Sequence, residues 1–464
     1  MEFQHPYIPM SRETEAEMLK SMGRKSIDEL FGDIPEKFRL RRDLDIPSSH
    51  TELEVIRRVE ELASKNRPGD DGSVFLGSGV GFHHIPSAVT AVAGRSEFVT
   101  AYTSYQPEIS QGMLQTLYEY QSLLAELLEI DVVNSSMYDM GTALGEAARM
   151  ASRVNKKKPK FLVPGTINTA HYRAMLTLAE PAGIQVERVA FDSKTGLMSL
   201  ADLSSKIDDQ IAGVYVENPS YLGFLETQVD EISRIVHEND ALLVAGVDVL
   251  SLGILRPPGQ YGADIVIGEG QMLGNPVSYG GPLLGVFGCR NDRKLIYQLP
   301  GRLVGMTYTT GEPRDQGFVL TLSPREQHIR REKATSNICS NQALMAVTAA
   351  IYLSTLGSQG LCQLGEIIAH KSNYAASQLN KIRGVTAPAI GKHIWKGFVV
   401  RFTDGLKSND VHEGLLKRGI HGGWILNTEF PSLGESMLFS VTELQSKKVI
   451  DDMVQAVRDI AGGE

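Results

Sequence analysis

Short apolar runs recur through the middle of the chain and are separated by segments with helical periodicity. The runs lie at 161–163, 214–216, 242–244, 265–267 and 284–287. Strands that alternate with helices in this way form a largely parallel sheet covered by helices on both faces. The alternation therefore predicts an α/β fold.

The length of the chain predicts more than one domain. At 464 residues it exceeds what one hydrophobic core usually serves. We expect an N-terminal helical arm and linker over 1–70, a large α/β domain over 71–335, and a linking helix with a small α/β domain over 336–464. Ser11 precedes a periodic stretch of the arm, and Ser26 with Glu29 forms a capping-box pattern. Such an arm buries little core alone, so it should pack on another surface.

Helical periodicity and capping patterns place further elements. Leucines near a 3.6-residue period predict a helix over 112–130, and a second helix is expected over about 142–153. Thr227 with Asp230 and Ser323 with Glu326 have capping-box spacing. A helix over 341–356 should lead into the small domain, with strands at 397–402 and 437–441 and a helix at 409–417.

Composition excludes several classes of protein. A net charge of −9 argues against binding to a nucleic-acid backbone, which needs a basic surface. The three cysteines are odd in number and lack metal-like spacing, so neither a disulfide framework nor a metal site is predicted. The amino terminus lacks the pattern of a signal peptide, and no stretch approaches a membrane span. We expect a cytoplasmic protein that binds no membrane.

A Gly-rich turn follows the apolar run at 265–267 and precedes the run at 284–287. The turn contains Glu269, Gln271 and Met272. It resembles the turn that carries the cofactor lysine in pyridoxal-phosphate enzymes, where an amine at the end of the strand forms a Schiff base. None of these three side chains can form an imine.

Several runs, in the same order along the chain, resemble one family. They lie at 8–10 with 26–31, 102–112, 268–271 with 274–276, and 331–339. The family is the P-protein of the glycine cleavage system, glycine dehydrogenase (decarboxylating), and the likeness is to its first subunit where the enzyme is split in two. The resemblance implies a type I pyridoxal-phosphate-dependent, aminotransferase-like fold. It covers nearly the whole chain.

The same resemblance implies how the activity is divided between subunits. The assembled enzyme decarboxylates glycine and passes the aminomethyl group to lipoyl H-protein. Glycine dehydrogenase subunit 2 carries the lysine and pyridoxal phosphate, in a heterotetramer of two subunits of each kind. In this chain Met272 or Gln271 stands at the lysine position. Asp248 comes several residues after the apolar run that should present an aspartate to the pyridinium nitrogen. We therefore expect no covalent cofactor here.

Candidate contributors to a shared active site come from three segments. The residues are Gly79, Gly81, His83, His84, Tyr102, Tyr105, Gln106, Glu108, Thr335, Ser336 and Asn337. Segment 102–108, here called the tyrosine loop, could instead be a subunit interface, and the glycines could form a structural turn. The 335–337 segment could cap the next helix. Asp139 is expected to cap the helix that follows it, where related enzymes seat the cofactor phosphate.

Two other functions remain open. One is a self-sufficient pyridoxal-phosphate decarboxylase or aminotransferase that uses an unrecognised lysine. Lys333 is a poor candidate, because nothing places it at the end of a buried strand and a surface ion pair is the simpler interpretation. The other is a scaffold or regulatory protein built on an inactive enzyme fold.

Overall fold

The computed structural model of the protein describes residues 7, 10–77, 79–101, 104–155, 158–321, 327–335, 338 and 341–462. The chain forms two compact units, Met1–Arg67 and Pro68–Glu464. The predicted division at 335/336 stays a prediction. The helix start predicted at Ser323 lies outside the described residues.

The first unit contains helices α1 (Arg12–Ser21) and α2 (Glu52–Ala63). Ser11 accepts a hydrogen bond from the Thr14 N–H at 3.2 Å, which confirms the predicted start of α1. The capping box predicted at Ser26 is wrong. Ser26 precedes a five-residue 3₁₀ turn, Ile27–Phe31, and its side chain makes no capping hydrogen bond. Tighter 3₁₀ winding gives an N-cap geometry different from that of an α-helix.

Within the residues that the structure describes, the other helices and the strands belong to the second unit. The helices are α3 (Ser87–Ala93), α4 (Ser96–Val99), α5 (Gln111–Leu128), α6 (Met140–Val154), α7 (Thr169–Ala179), α8 (Leu200–Lys206), α9 (Val229–Glu238), α10 (Arg293–Gln298), α11 (Gln327–Arg330), α12 (Ala343–Leu379), α13 (Ser408–Lys417) and α14 (Lys447–Ile460). The strands are β1 (Val132–Val133), β2 (Lys160–Pro164), β3 (Gln185–Val189), β4 (Ile211–Glu217), β5 (Leu242–Asp248), β6 (Ile265–Glu269), β7 (Gly285–Cys289), β8 (Val304–Tyr308), β9 (Gln316–Leu320), β10 (Val385–Thr386), β11 (Gly397–Phe402), β12 (Trp424–Ile425) and β13 (Ser436–Ser440).

A seven-stranded sheet with the order β1-β7-β6-β5-β4-β2-β3 forms the centre of this unit. Strands β2 to β6 pair in parallel, whereas β7 and β1 are antiparallel. All five apolar runs are strands, so the predicted α/β alternation is confirmed. Strand β3 has no apolar run in the sequence, because its partly exposed edge position allows polar side chains, and the β8–β9 hairpin was not predicted either.

The C-terminal part of the unit has a four-stranded antiparallel sheet, β10-β11-β13-β12. Its strand at Gly397–Phe402 has the predicted bounds, and the predicted helix and second strand are α13 and β13. The cap predicted at Thr227 is wrong by one residue. Gln228 precedes α9, and its side chain makes no capping bond. That helix depends on tertiary packing, with Ile232 and Val236 buried.

Helix α12 is long and apolar enough, by length and composition alone, to cross a membrane. The expectation that no stretch approaches a span is therefore wrong on composition. The helix packs against α3, α5 and α14, and its backbone departs from helical geometry at Gly357. These contacts are typical of a core helix, which can be equally long and equally apolar.

Candidate functional site: a pocket at the strand ends

Three neighbouring parallel strands end in acidic residues. Glu217 is the last residue of β4, Asp248 of β5 and Glu269 of β6. In open α/β sheets, ligands bind beyond the carboxyl ends of the strands. All three residues line one cavity of about 90 Å³, here called the strand-end pocket. Its other lining residues include Gly79, Gly81, His83, Met140, His171, Ser220, Tyr221, Met272, Trp395 and Lys396.

Glu217 is held by two hydrogen bonds. The Tyr215 hydroxyl donates to its Oε1 at 2.9 Å, and the Tyr221 N–H donates to its Oε2 at 3.0 Å. The neighbouring strand makes room for this contact with Gly246, where a Cβ would lie 2.2 Å from the Tyr215 hydroxyl. Burial raises the pKa of Glu217 to about 7, against the lowering effect of these two bonds.

The Glu269 carboxylate makes hydrogen bonds to several elements around the Gly-rich turn. Its carboxylate accepts the N–H groups of Gln271 and Leu284 at 3.0 Å and that of Met140 at 3.2 Å. Burial raises its pKa to about 7, although all three bonds favour the charged form. The residue therefore fixes the start of α6 to the Gly-rich turn.

Asp248 is not displaced from the strand end, so that expectation is wrong. Strand β5 continues beyond its apolar run, and Asp248 pairs in register with Glu269. Its carboxylate forms an ion pair with the Lys396 ammonium, and both side chains are largely buried. Burial by itself would raise the pKa of Asp248, but the ammonium lowers it below the usual value. The aspartate thus already has a cation as its partner.

His83, rather than His84, lies in the pocket. Its Nδ1 is 2.9 Å from Oε2 of Glu443, while the His84 backbone N–H donates to the other oxygen of that carboxylate. Burial would raise the pKa of Glu443, but the hydrogen bond from His83 lowers it. The His84 side chain is exposed.

The Gly-rich segment lies beside the turn that lacks a lysine. Gly79 has a φ of 98°, which favours glycine, and the Gly81 N–H donates to Oε1 of Gln271 at 3.2 Å. The Gln271 side chain makes this hydrogen bond and donates a second one to the Asn275 carbonyl. Met272 is the residue whose side chain lines the pocket.

Asp139 caps α6 as predicted. Its Oδ1 accepts the Thr142 N–H at 2.8 Å, and the Asp139 N–H donates to the Thr142 hydroxyl oxygen, which completes a capping box. The helix start therefore carries a carboxylate that accepts the Thr142 amide and repels an anion, while Glu269 accepts the Met140 amide.

Pyridoxal phosphate does not fit this pocket. Met272 offers no amine for a Schiff base, and the Asp248 carboxylate is already paired with the Lys396 ammonium. The Asp139 carboxylate caps the start of α6, where it would repel a phosphate. The pocket volume of about 90 Å³ is also below the ~150 Å³ that holds one benzene molecule, which is smaller than the cofactor.

The structure does not bring residues 104–108, the described part of the tyrosine loop, into the pocket. Tyr105, Gln106 and Glu108 lie on an exposed segment before α5, outside the pocket lining. Tyr105 is 48% exposed, and its hydroxyl accepts a bond from Nη2 of Arg302 at 3.0 Å. Thr335 is partly buried and also lies outside the lining. Tyr102, Ser336 and Asn337 fall outside the described residues.

The family profile described as "Glycine cleavage system P-protein" matches residues 5–457. The chain belongs to this family. It is 48% identical to the "Probable glycine dehydrogenase (decarboxylating) subunit 1" of Pyrococcus abyssi, over 98% of this chain and 99% of that protein. The protein of the same name from Staphylothermus marinus is 45% identical, over 98% of each chain.

Solved structures confirm the predicted type I pyridoxal-phosphate fold. An inhibitor-bound glycine decarboxylase (P-protein) of the glycine cleavage system is 35% identical, with a TM-score of 0.87 over 98% of this chain and all of the other. The Lactobacillus brevis glutamate decarboxylase is 12% identical, with a TM-score of 0.69 over 94% and 98% of the two chains, and shows the fold alone.

Several residues of this P-protein pocket were missed by sequence reasoning. They are Glu217, His171, Ser220, Trp395 and Lys396, and Glu443 was missed as the partner of His83. Glu217 has a usable signal, since an acid that ends an apolar strand lies where α/β folds bind ligands. Lys396 has none, because its contact with Asp248 joins residues that are far apart in the chain.

Proposed function

We propose that this chain is the first subunit of a heteromeric glycine decarboxylase of the glycine cleavage system. The complex decarboxylates glycine with pyridoxal phosphate and transfers the aminomethyl group to lipoyl H-protein. The cofactor is carried by glycine dehydrogenase subunit 2. This chain completes the partner's active site without holding the cofactor itself.

One observation supports the proposal that the other subunit holds the cofactor. The pocket that corresponds to the cofactor site of the fold has Met272 at its wall, and Asp248 is bound to Lys396. A Schiff base needs an amine, and the pyridinium nitrogen needs a free carboxylate. Among the described lining residues, Met272 offers no amine, and Lys396, which carries one, is paired with Asp248 and leaves that carboxylate without a free position for the ring nitrogen. We therefore infer that another subunit supplies the covalent cofactor.

The contribution of this chain to the shared site is assigned to its exposed segments. The tyrosine loop is anchored at Tyr105 by Arg302, whose guanidinium carbon lies 4.9 Å from the ring centroid. This contact holds the Tyr105 phenol on the surface, and the Glu108 carboxylate is also exposed there. From there they can position groups and exclude water at a site on the partner. The 335–337 segment is a second candidate.

The assembly proposed is a heterotetramer of two subunits of each kind, in the cytoplasm. The relatives named subunit 1 match this chain over nearly their whole length, which supports a separate second subunit. The first unit fits this assembly, because α2 exposes Leu53, Ile56, Val59 and Leu62. Exposed apolar stripes of this kind are typical of interaction surfaces.

Co-expression with subunit 2 and a glycine–bicarbonate exchange assay test the proposal. Exchange is expected from the complex, and either subunit alone should give a small fraction of that rate. If mixing the subunits restores no exchange, the scaffold interpretation replaces this one. Visible cofactor absorbance in this chain alone, fixed by borohydride, would instead identify a self-sufficient enzyme.

A further inference from the structure

The strand-end pocket retains polar atoms that no described residue satisfies. They are Nε2 of His83, Nδ1 of His171 and Oγ of Ser220, all buried and all on residues that line the cavity. The His83 side chain is only 2% exposed and Ser220 is 7% exposed. Buried polar groups in proteins almost always have a partner, so this clustering indicates a bound polar molecule.

The pocket also lacks a cation for two of its acids. Lys396 pairs with Asp248, whereas Glu217 and Glu269 have no ion-pair partner among the described residues. Glu269 already accepts three N–H groups. Glu217 accepts two hydrogen bonds, and a carboxylate has about four acceptor positions. Glu217 can therefore receive an ammonium group.

Size limits the occupant of the pocket. A cavity of ~150 Å³ holds benzene, with its six heavy atoms. The strand-end pocket, at about 90 Å³, has room for a smaller molecule. An ammonium group for Glu217 and a carboxylate that accepts a hydrogen bond from the Ser220 hydroxyl describe a zwitterion of this size.

We propose that the strand-end pocket is a second, non-catalytic binding site for glycine, with the ammonium group on Glu217 and the carboxylate accepting a hydrogen bond from the Ser220 hydroxyl. The choice of glycine rests on the proposed function, whereas the size and charge of the site do not. The site is separate from the catalytic site on the partner, so it can report the substrate concentration to the complex.

Calorimetric titration of the full-length chain with glycine tests the proposal. Saturable binding at one site per chain is expected. Methylamine lacks the carboxylate, glycolate lacks the ammonium, and L-alanine has an additional methyl group, so each should bind at least tenfold more weakly. Equal binding of glycolate, or no saturable binding of glycine, would overturn the proposal.

Two variants localise the site. Glu217→Gln keeps the volume and removes the charge, and we expect it to weaken glycine binding at least tenfold. Glu226→Gln is the matched control, because Glu226 is also a buried carboxyl but lies outside the pocket lining, and its binding should be unchanged. If Glu217→Gln fails to fold, Ser220→Ala tests the other end of the ligand. An equal loss in both glutamate variants, or no loss with Ser220→Ala, would contradict the assignment.

The exchange assay of the complex, run on the same preparations, separates the two hypotheses. Normal exchange without glycine binding by this chain would remove the second site and leave the proposed function intact. Glycine binding by this chain without exchange by the complex would support the second site and refute the proposed function. A high-resolution crystal structure in saturating glycine that shows only water molecules in the pocket would also refute the site.

Discussion

The strand-end pocket and the tyrosine loop are both rich in polar groups, yet they differ in how those groups are brought together. The loop concentrates its polar side chains within a few residues of sequence, and Tyr105 and Glu108 remain exposed. The pocket collects Glu217, Asp248 and Lys396 from separate segments and buries them. Density of polar residues along the chain is therefore a poor guide to the dry, convergent sites where ionisation is most strongly perturbed.

The largest effect is expected where a buried charge loses its partner. Asp248→Asn leaves the Lys396 ammonium buried, and breaking a buried pair in this way costs about 3–5 kcal/mol. Asp452→Asn is the control, since its pair with Lys448 is exposed and such pairs contribute ~1 kcal/mol or less. Urea unfolding of both variants measures the difference. Equally small losses of unfolding free energy in the two variants would mean that the Asp248–Lys396 pair is as hydrated as a surface pair.

A pH-dependent effect of similar size is expected from Glu217. Burial raises its pKa from 4.5 to about 7, so the folded protein binds this proton more tightly than the unfolded chain. Stability should therefore fall as the pH rises from about 4.5 to 7, by up to about 3 kcal/mol for this group. Glu217→Gln removes that loss. The variant should gain stability relative to the parent between pH 5 and 8, measured by urea midpoints. A constant difference across this range would show that Glu217 is not desolvated.

A smaller effect, on rate alone, is expected from the tyrosine loop. Tyr105→Phe and Glu108→Gln each keep volume and remove one polar function, so the complex should assemble normally. Exchange turnover should fall at least ~10-fold, equivalent to about 1.4 kcal/mol of transition-state stabilisation. Tyr297→Phe is a matched control, because Tyr297 is also exposed and covered by an arginine, Arg293. Full activity in both loop variants would mean that the tyrosine loop contributes only packing and has no role in turnover.

No gain of activity is expected from Met272→Lys. The variant supplies an amine at the pocket wall, but Asp248 stays bound to Lys396 and the pocket volume is too small for the cofactor. Absorbance spectra with added pyridoxal phosphate, and exchange assays without subunit 2, provide the measurement. Robust exchange by this variant alone would show that the missing amine was the only defect.

The fold was largely predictable from local patterns. The five apolar runs are strands β2, β4, β5, β6 and β7, and the leucine periodicity at 112–130 corresponds to α5. Burial on both faces of a parallel sheet forces a continuous apolar run, which remains visible in sequence. The edge strand β3 was missed because one of its faces meets solvent.

The candidate site was predictable only in part. Gly79, Gly81, His83 and Met272 were identified from the sequence and do line the pocket. The apolar run predicted that β5 ends before Asp248, but pairing with its neighbouring strands, rather than hydrophobicity, sets where a strand stops. Strand ends are therefore the least secure part of such a prediction.

The sequence by itself determined the alternation of strands and helices, the family, and the lack of an amine in the turn at Gly270–Met272. Only the tertiary structure decided which groups meet. It placed Lys396 against Asp248, Glu443 against His83, and Tyr215 beneath Glu217. Local periodicity encodes which side of an element is buried, but ion pairs between distant residues depend on how the elements pack. The ion pair between Asp248 and Lys396 is such a contact, and no local pattern records it.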